Sequence, residues 1–330
     1  MRTVGDPLLV VEDVRKYFDV GRLGAKKIVR AVDGVSFVLD RGETLGLVGE
    51  SGSGKTTLGK LVLRLYRPTS GRIVFDGVDI TDLPEPRLRP LRRKMQLVPQ
   101  DPYASFNPLQ TVGEALVEPL LVHKLASRSE AVDKALKMLE RVGLVPADDF
   151  FRRRPYQLSG GQLQRAAIAR AMLLEPTLVV ADEPTSSLDV SVRASILELL
   201  KEFKERYRQA MIFVTHDLAT AKLVSDRIAV MYLGKTVEYG PTGDVLSKPL
   251  HPYTAALLSA IPRIKPGSRA VNIVLKGEIP DPSNPPKGCR LHPRCPLATP
   301  KCSSEEPKLV ELEKGRLVAC HNPLPASIRR

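Results

Sequence analysis

The stretch Gly49-Glu-Ser-Gly-Ser-Gly-Lys-Thr56 decides the fold class, because it follows an apolar run at 43–48 and precedes a helical pattern beginning at Lys55. It matches the phosphate-binding loop G-x4-G-K-[ST], in which backbone N–H groups and the positive end of the following helix face phosphate oxygens. The pattern predicts that Lys55 reaches the β- and γ-phosphates of a nucleotide and that the Thr56 hydroxyl binds Mg²⁺. A chance glycine-rich turn is the alternative, which the flanking strand and helix disfavour.

Two adjacent carboxylates, Asp182 and Glu183, end the apolar run at 177–181. A buried carboxylate is costly without a partner, and beside a phosphate loop the natural partner is Mg²⁺. Asp182 is therefore predicted to hold the metal, directly or through water. Glu183 is predicted to be the general base that polarises the attacking water. Two solvated acids opening a turn at Pro184 are the alternative.

A second anion-binding pattern lies at Ser159-Gly160-Gly161-Gln162, immediately before a strongly helical stretch. A hydroxyl and two glycines at a helix N-terminus bind anions readily, although an ordinary helix cap has the same residues. One chain rarely needs two such sites for one nucleotide. We therefore predict that the second site serves the nucleotide of a partner chain across an interface.

The remaining pattern of the chain alternates short apolar runs with helical stretches. Runs at 43–48, 177–181, 210–215 and 227–231 predict buried strands. This alternation predicts an α/β fold with a mostly parallel sheet. Between Thr111 and Met172 the pattern is helical throughout, which indicates a helical block inserted in the α/β chain.

Composition limits the class of protein without choosing a function. The 330 residues are 43% hydrophobic and 26% charged, which excludes a disordered chain, a collagen and a coiled-coil rod. No apolar run approaches the ~18 residues of a membrane span, and the N-terminus does not resemble a secretory signal, so we expect a cytoplasmic protein. The net charge of +13 fits nucleic acid, an anionic membrane surface or a phosphorylated ligand.

Six motifs in this order resemble the ATPase subunit of ABC transporters. They are the phosphate loop, Val98-Pro-Gln100-Asp, Leu158-Ser-Gly-Gly-Gln162, Val180-Ala-Asp182-Glu183-Pro, Ser187-Leu-Asp189 and Val214-Thr-His216-Asp. The resemblance implies a P-loop ABC ATPase domain, with an N-terminal antiparallel β part, a mostly parallel core and an inserted helical subdomain. It also implies a head-to-tail pair of such domains closing over two ATP molecules.

The same resemblance implies a role for each matching residue. Glu183, His216, Gln100 and Lys55 would be catalytic, and Thr56, Gln100 and Asp182 would surround Mg²⁺. Tyr17 would stack on adenine, with a half-buried strand aromatic as the alternative. Asp189 would link the two sites of the dimer, and Gln100 would sense the membrane subunit. The implied nucleotide-binding set is Tyr17, Gly49, Ser51, Gly52, Ser53, Gly54, Lys55, Thr56, Thr57, Gln100, Asp182, Ser159, Gly160, Gly161, Gln162 and Asp189.

Further segments resemble the second ATPase subunit of oligopeptide/dipeptide importers. They are 29–37, 102–108, 251–258 and His292-Pro-Arg-Cys-Pro296. This implies peptide uptake at the cytoplasmic face of the cell membrane, with a second, homologous ATPase subunit, two transmembrane permease subunits and an extracellular solute-binding protein. Oligosaccharides or nickel are alternative solutes. A nucleic-acid factor is the alternative class, but we expect no nucleic acid, since no coiled coil separates the motifs and the chain has one nucleotide domain.

The end of the chain differs from the rest in composition. Fifteen of the 28 prolines fall in 241–330, and all four cysteines lie at Cys289, Cys295, Cys302 and Cys320. We therefore divide the chain into an ATPase domain at 1–255, with a helical subdomain at about 101–172, and a loop-rich extension at 256–330. The thiols could form disulfides, bind zinc or remain free, although their spacing is wider than is usual for zinc. The family resemblance adds a [4Fe–4S] cluster, which is our prediction.

Overall fold

The computed structural model describes residues 7–21, 27–260 and 273–325. Strands β1 to β12 are, in chain order, Pro7–Asp19, Ile28–Asp40, Thr44–Val48, Ser70–Phe75, Val78–Asp79, Met95–Val98, Leu178–Asp182, Ala210–Thr215, Arg227–Tyr232, Lys235–Pro241, Val310–Glu313 and Arg316–Val318. Helices α1 to α11 are Lys55–Val62, Glu85–Arg92, Val112–Val122, Arg128–Arg141, Ala147–Arg152, Gly160–Met172, Val190–Tyr207, Leu218–Val224, Thr242–Ser247, Pro252–Ser259 and Pro300–Ser304.

The main sheet has the strand order β11-β12-β10-β9-β3-β8-β7-β6. Its five strands from β9 to β6 pair in parallel, and β3, β7 and β8 are buried along their whole length. Strands covered on both faces are continuous apolar runs, which is why the sequence marks them clearly. The predicted parallel core is confirmed, and it brings the ends of β3, β7 and β8 to one edge.

A second, antiparallel sheet has the order β2-β1-β4-β5. Its long strands β1 and β2 pair with several register shifts, and their apolar faces join the first helix and the main sheet in one core that includes Val14, Phe37 and Leu58. This sheet is the antiparallel part that the family resemblance implies. It places the end of β1 close to the phosphate loop.

The helical block predicted between Thr111 and Met172 forms α3 to α6, between β6 and β7. Its helices α3 and α4 begin with capping boxes, in which Thr111 and Ser127 bond to the third residue of the helix. Its apolar faces share a core with β6, β7 and α7. The inserted helical subdomain of the predicted fold is confirmed.

The extension is tied to the ATPase core by strand pairing. Strand β12 pairs with β10 and thereby adds the β11–β12 hairpin to the main sheet. Composition alone predicts only loops here, because these strands are only four and three residues long. The predicted boundary at 255 falls within α10, and parts of the extension, 261–272 and 326–330, lie outside the described residues. Within the described ranges, no helix has the length and apolar character needed to cross a membrane.

Candidate nucleotide site

The phosphate loop connects the end of β3 to the start of α1. Gly54 caps the helix with φ 102°, and a side chain there would meet the carbonyl oxygen of Ala31 at 2.1 Å, so glycine is required. The buried Lys55 amine donates to the carbonyl oxygens of Gly49 at 2.7 Å and Glu50 at 2.8 Å. Burial lowers the pKa of Lys55, while the carboxylates of Glu183, Asp182 and Glu50 raise it. The loop thus surrounds the Lys55 ammonium group, and phosphate oxygens can replace the carbonyl oxygens that it now contacts.

The end of β7 lies beside the first turn of α1. The Thr56 hydroxyl donates a hydrogen bond of 2.8 Å to Oδ1 of Asp182. Burial raises the pKa of the Asp182 carboxyl, which the bond from Thr56 partly counteracts. A hydroxyl and a buried carboxylate at this distance are hard oxygen ligands of the type that Mg²⁺ binds in nucleotide sites. These residues therefore fit the predicted metal.

Glu183 and His216 meet at the ends of neighbouring parallel strands. Nδ1 of His216 lies 3.1 Å from Oε2 of Glu183, and the histidine side chain is the more exposed of the two. Glu183 has φ 43°, and its N–H donates to the carbonyl oxygen of Val214 at 2.9 Å. The backbone thus leaves the strand direction at this residue, and the mostly buried Glu183 side chain lines the cleft.

These side chains line one open cavity of about 910 Å³. Its lining includes the predicted residues Ser51, Gly52, Gly54, Lys55, Thr56, Thr57, Gln100, Glu183 and His216. Asp182 is joined to the cavity through Thr56, while Ser53 is buried beneath the loop and bonds to Lys55 at 3.3 Å. Leu257 and Pro282, which belong to the predicted extension, also line the cavity.

The aromatic residue at this cavity is Phe18, whereas we predicted Tyr17 from the sequence. Tyr17 is not among the lining residues, and its hydroxyl donates a 2.6 Å hydrogen bond to Asp33. Burial raises the pKa of this hydroxyl. Neighbouring side chains of a strand point to opposite faces, so only one of the pair faces the cavity. The alternation of side chains along β1 indicates that Tyr17 and Phe18 lie on opposite faces of the strand. It does not indicate which of these faces lines the cavity.

The second anion-binding segment lies away from this cavity. Ser159 caps α6, and its hydroxyl and the Gln162 side chain form a reciprocal capping box at 3.3 and 3.0 Å. Ser159 and Asp189 are exposed, and Gly160, Gly161 and Gln162 are partly buried. The described lining of the cavity contains none of these residues. The chain therefore does not bring this segment to its own phosphate loop.

The cysteines fold into one region but do not form a metal site. The Cys289 N–H donates to the Cys302 carbonyl at 2.8 Å, and all four thiols are free. Burial raises the pKa of Cys289 to about 11 and that of Cys320 to about 12. Among the described residues, no group of three or more His, Cys, Asp or Glu is arranged to hold a metal ion. The described residues therefore give no support to the predicted [4Fe–4S] cluster.

Two family models match the chain. The model described as ABC transporter matches residues 32–186, and the model described as Oligopeptide/dipeptide transporter, C-terminal region, matches residues 237–302. The second match covers the start of the cysteine-bearing region, including Cys289, Cys295 and Cys302. Together they match part of the ATPase core and part of the extension.

Curated relatives and solved structures agree with these models. An oligopeptide transport ATP-binding protein of Bacillus subtilis is 47% identical over 96% of this chain and 97% of its own length. A probable peptide ABC transporter ATP-binding protein of Sinorhizobium fredii is 46% identical over 98% of this chain and 92% of its own. A dimeric ATP-binding cassette bound to ADP and Pi superposes with a TM-score of 0.65 and 32% identity, covering 71% of this chain and 98% of its own.

Proposed function

Because this chain belongs to the ABC transporter ATP-binding proteins of the oligopeptide/dipeptide type, we propose that it is the ATP-hydrolysing subunit of a peptide importer. The observation that carries this proposal is the meeting of Lys55, Thr56, Gln100, Glu183 and His216 in one cavity. That set contains a phosphate ligand, a metal ligand, a general base and an orienting residue for phosphoryl transfer to water.

In the proposed mechanism, Lys55 exchanges its bonds to Gly49 and Glu50 for oxygens of the β- and γ-phosphates. Thr56 and Asp182 would hold Mg²⁺, which would neutralise part of the phosphate charge. Glu183 accepts the proton of the attacking water while Nδ1 of His216 holds its carboxylate, and Gln100 orients the water. The chain contributes mainly positioning and electrostatic stabilisation.

The segment at Ser159–Gln162 supports a head-to-tail dimer. It is accessible at a helix N-terminus and lies apart from this chain's own cavity. We infer that Ser159, Gly160 and Gly161 bind the γ-phosphate in the partner's site, with Gln162 capping the helix and Asp189 at the junction of the two sites. The partner would be a second, homologous ATPase subunit.

We propose that this dimer works at the cytoplasmic face of the cell membrane. It would drive two transmembrane permease subunits, to which an extracellular solute-binding protein delivers the solute. Oligopeptides or dipeptides are the proposed solutes, because relatives across the whole length are named for peptide transport. Oligosaccharides and nickel are alternatives.

Uptake by whole cells tests this function. We expect cells that lack this chain to lose accumulation of labelled oligopeptides and to recover it when the chain is expressed. The Glu183→Gln variant should not restore it, since it lacks the general base. Normal peptide uptake in cells without the chain, with loss of nickel or oligosaccharide uptake instead, would contradict the peptide proposal.

Phe18 is proposed as the platform for the adenine ring in place of Tyr17. Replacing Phe18 by Ala should weaken ATP binding about tenfold, because stacking of a base on an aromatic side chain is worth about 1–3 kcal/mol. Tyr17→Ala should weaken it less, since Tyr17 contacts Asp33 and not the cavity. Titration of both variants with a fluorescent ATP analogue compares them. A larger loss in Tyr17→Ala would restore the sequence-based assignment.

The iron–sulfur cluster stays a prediction that follows from family resemblance alone. No step of the proposed mechanism involves it. Iron and sulfide analysis of the anaerobically purified protein, with an absorbance spectrum near 400 nm, checks it directly.

A further inference from the structure

Two arginines of the extension, Arg290 and Arg294, dock onto the ATPase core. Both are almost completely buried, and each pairs with a carboxylate of the core. Arg290 pairs with Asp33 and also donates to the carbonyl oxygen of Leu233. Arg294 pairs with Glu50, which is the second residue of the phosphate loop. The extension therefore reaches directly into the sequence that binds the nucleotide.

The contact between Arg294 and Glu50 is a bidentate ion pair. Nη1 of Arg294 donates to Oε2 at 2.7 Å, and Nη2 donates to Oε1 at 3.1 Å. Such a fork fixes orientation as well as distance, because both partners are planar. The guanidinium also lies 5.8 Å from the centre of the Tyr232 ring, which packs on Tyr253.

Helix α10, at the start of the extension, contacts the backbone of Glu50. The Glu50 N–H donates to the Tyr253 hydroxyl at 2.8 Å, and the Glu50 carbonyl oxygen accepts from Lys55 at 2.8 Å. Glu50 is thus held at its carboxylate by Arg294 and at its N–H by Tyr253. Its third polar group contacts the lysine that binds phosphate. A shift of Glu50 would remove one of the three hydrogen bonds that hold the Lys55 amine before phosphate binds.

The negative charge of the Glu50 carboxylate would repel a bound triphosphate. Glu50 is a lining residue of the cavity and its charge acts on the pKa of Lys55, so the carboxylate lies within electrostatic range of phosphates held by Lys55. Like charges at such range repel, and partial burial reduces screening by solvent. The guanidinium of Arg294 cancels this charge at contact distance.

We propose that Arg294 is a positioning residue for ATP, which holds the phosphate loop through Glu50 and neutralises the carboxylate that Glu50 places beside the triphosphate. This inference rests on the proposed ATP site. It gives the extension a role in nucleotide binding that its loop-rich sequence does not suggest.

The test measures Mg²⁺-ATP affinity in the purified full-length chain and steady-state hydrolysis after its partner ATPase subunit has been added. Arg294→Gln should raise the dissociation constant and the KM for ATP about tenfold, since it leaves Glu50 charged and unpaired, whereas kcat changes less. Combining it with Glu50→Gln should recover most of the lost affinity, because both charges are then removed. Arg294→Lys keeps the charge without the fork and should fall between wild type and Arg294→Gln.

Arg290→Gln is the matched control, since Arg290 is as buried as Arg294 and docks the same segment on a different carboxylate. It should lower the melting temperature as Arg294→Gln does, with a smaller loss of ATP affinity. The proposal is overturned if Arg294→Gln and Arg294→Lys bind ATP like wild type, or if Arg290→Gln loses as much affinity and Glu50→Gln rescues nothing. Failure of the wild-type chain to bind ATP would instead overturn the proposed function.

Discussion

Replacing Glu183 by Gln is expected to leave ATP binding intact and to slow hydrolysis by at least about 100-fold, the range expected for loss of a general base. The amide keeps the size of the side chain and can still contact His216, whose Nδ1 lies 3.1 Å from Oε2. It cannot accept the proton of the attacking water. Binding depends instead on Lys55 and the phosphate loop, which this change does not touch.

Single-turnover hydrolysis and nucleotide binding, measured on the same preparation, separate these two effects. The variant should retain ATP and favour the closed dimer, which size-exclusion chromatography with ATP detects. Glu198→Gln, on the exposed face of α7, is a control for removing a carboxylate and should behave as wild type. Near-normal turnover in Glu183→Gln would mean that another group takes the proton.

Replacing Asp182 by Asn should have opposite effects on activity and on stability. Asp182 is 5% exposed and accepts the Thr56 hydroxyl, so its carboxylate is placed as a metal ligand. Loss of the charge should weaken Mg²⁺ binding about 10–100-fold, whether the carboxylate acts directly or through water. A Mg²⁺ titration of ATP hydrolysis measures this loss, with the exposed Asp148→Asn as the control.

The same variant should melt at a higher temperature than wild type in the absence of nucleotide, by on the order of 2 °C. Burial raises the pKa of Asp182, so the folded chain binds this proton more tightly than the unfolded chain does. Ionisation above the folded-state pKa therefore destabilises the fold at neutral pH, and asparagine removes that cost. The difference in melting temperature should shrink as the pH falls through this pKa. A constant difference across that range would contradict this cause.

Much of the fold and of the site can be predicted from the sequence, because the patterns that indicate them involve residues close together in the chain. Strands β3, β7 and β8 are continuous apolar runs, and the functional residues directly follow them. Parallel strands end at a common edge, so Lys55, Glu183 and His216 had to meet there. Their meeting in one cavity also needs the sheet order β3-β8-β7, which places the three strands side by side.

Neighbouring residues in the sequence do not predict whether Tyr17 or Phe18 lines the cavity. They also do not predict how the extension docks on the core. Both aromatic side chains fit the same strand, and only the approach of β1 to the phosphate loop selects Phe18. Strand β12 is three residues long and has no strong strand pattern, yet it pairs with β10 across a large separation in sequence. The cysteines likewise share one region without forming a metal-binding group in the described chain.

The sequence by itself therefore determined the ATPase core, its helical insertion and the residues of the phosphate loop. Glycine positions, apolar periodicity and acids at strand ends can be recognised from a few neighbouring residues. Only the tertiary structure decided that Phe18, and not Tyr17, lines the cavity and that Arg294 pairs with Glu50. These outcomes depend on which faces pack together and on ion pairs between residues such as Glu50 and Arg294, which are 244 positions apart. Burial makes such a pair specific, and no local pattern encodes it.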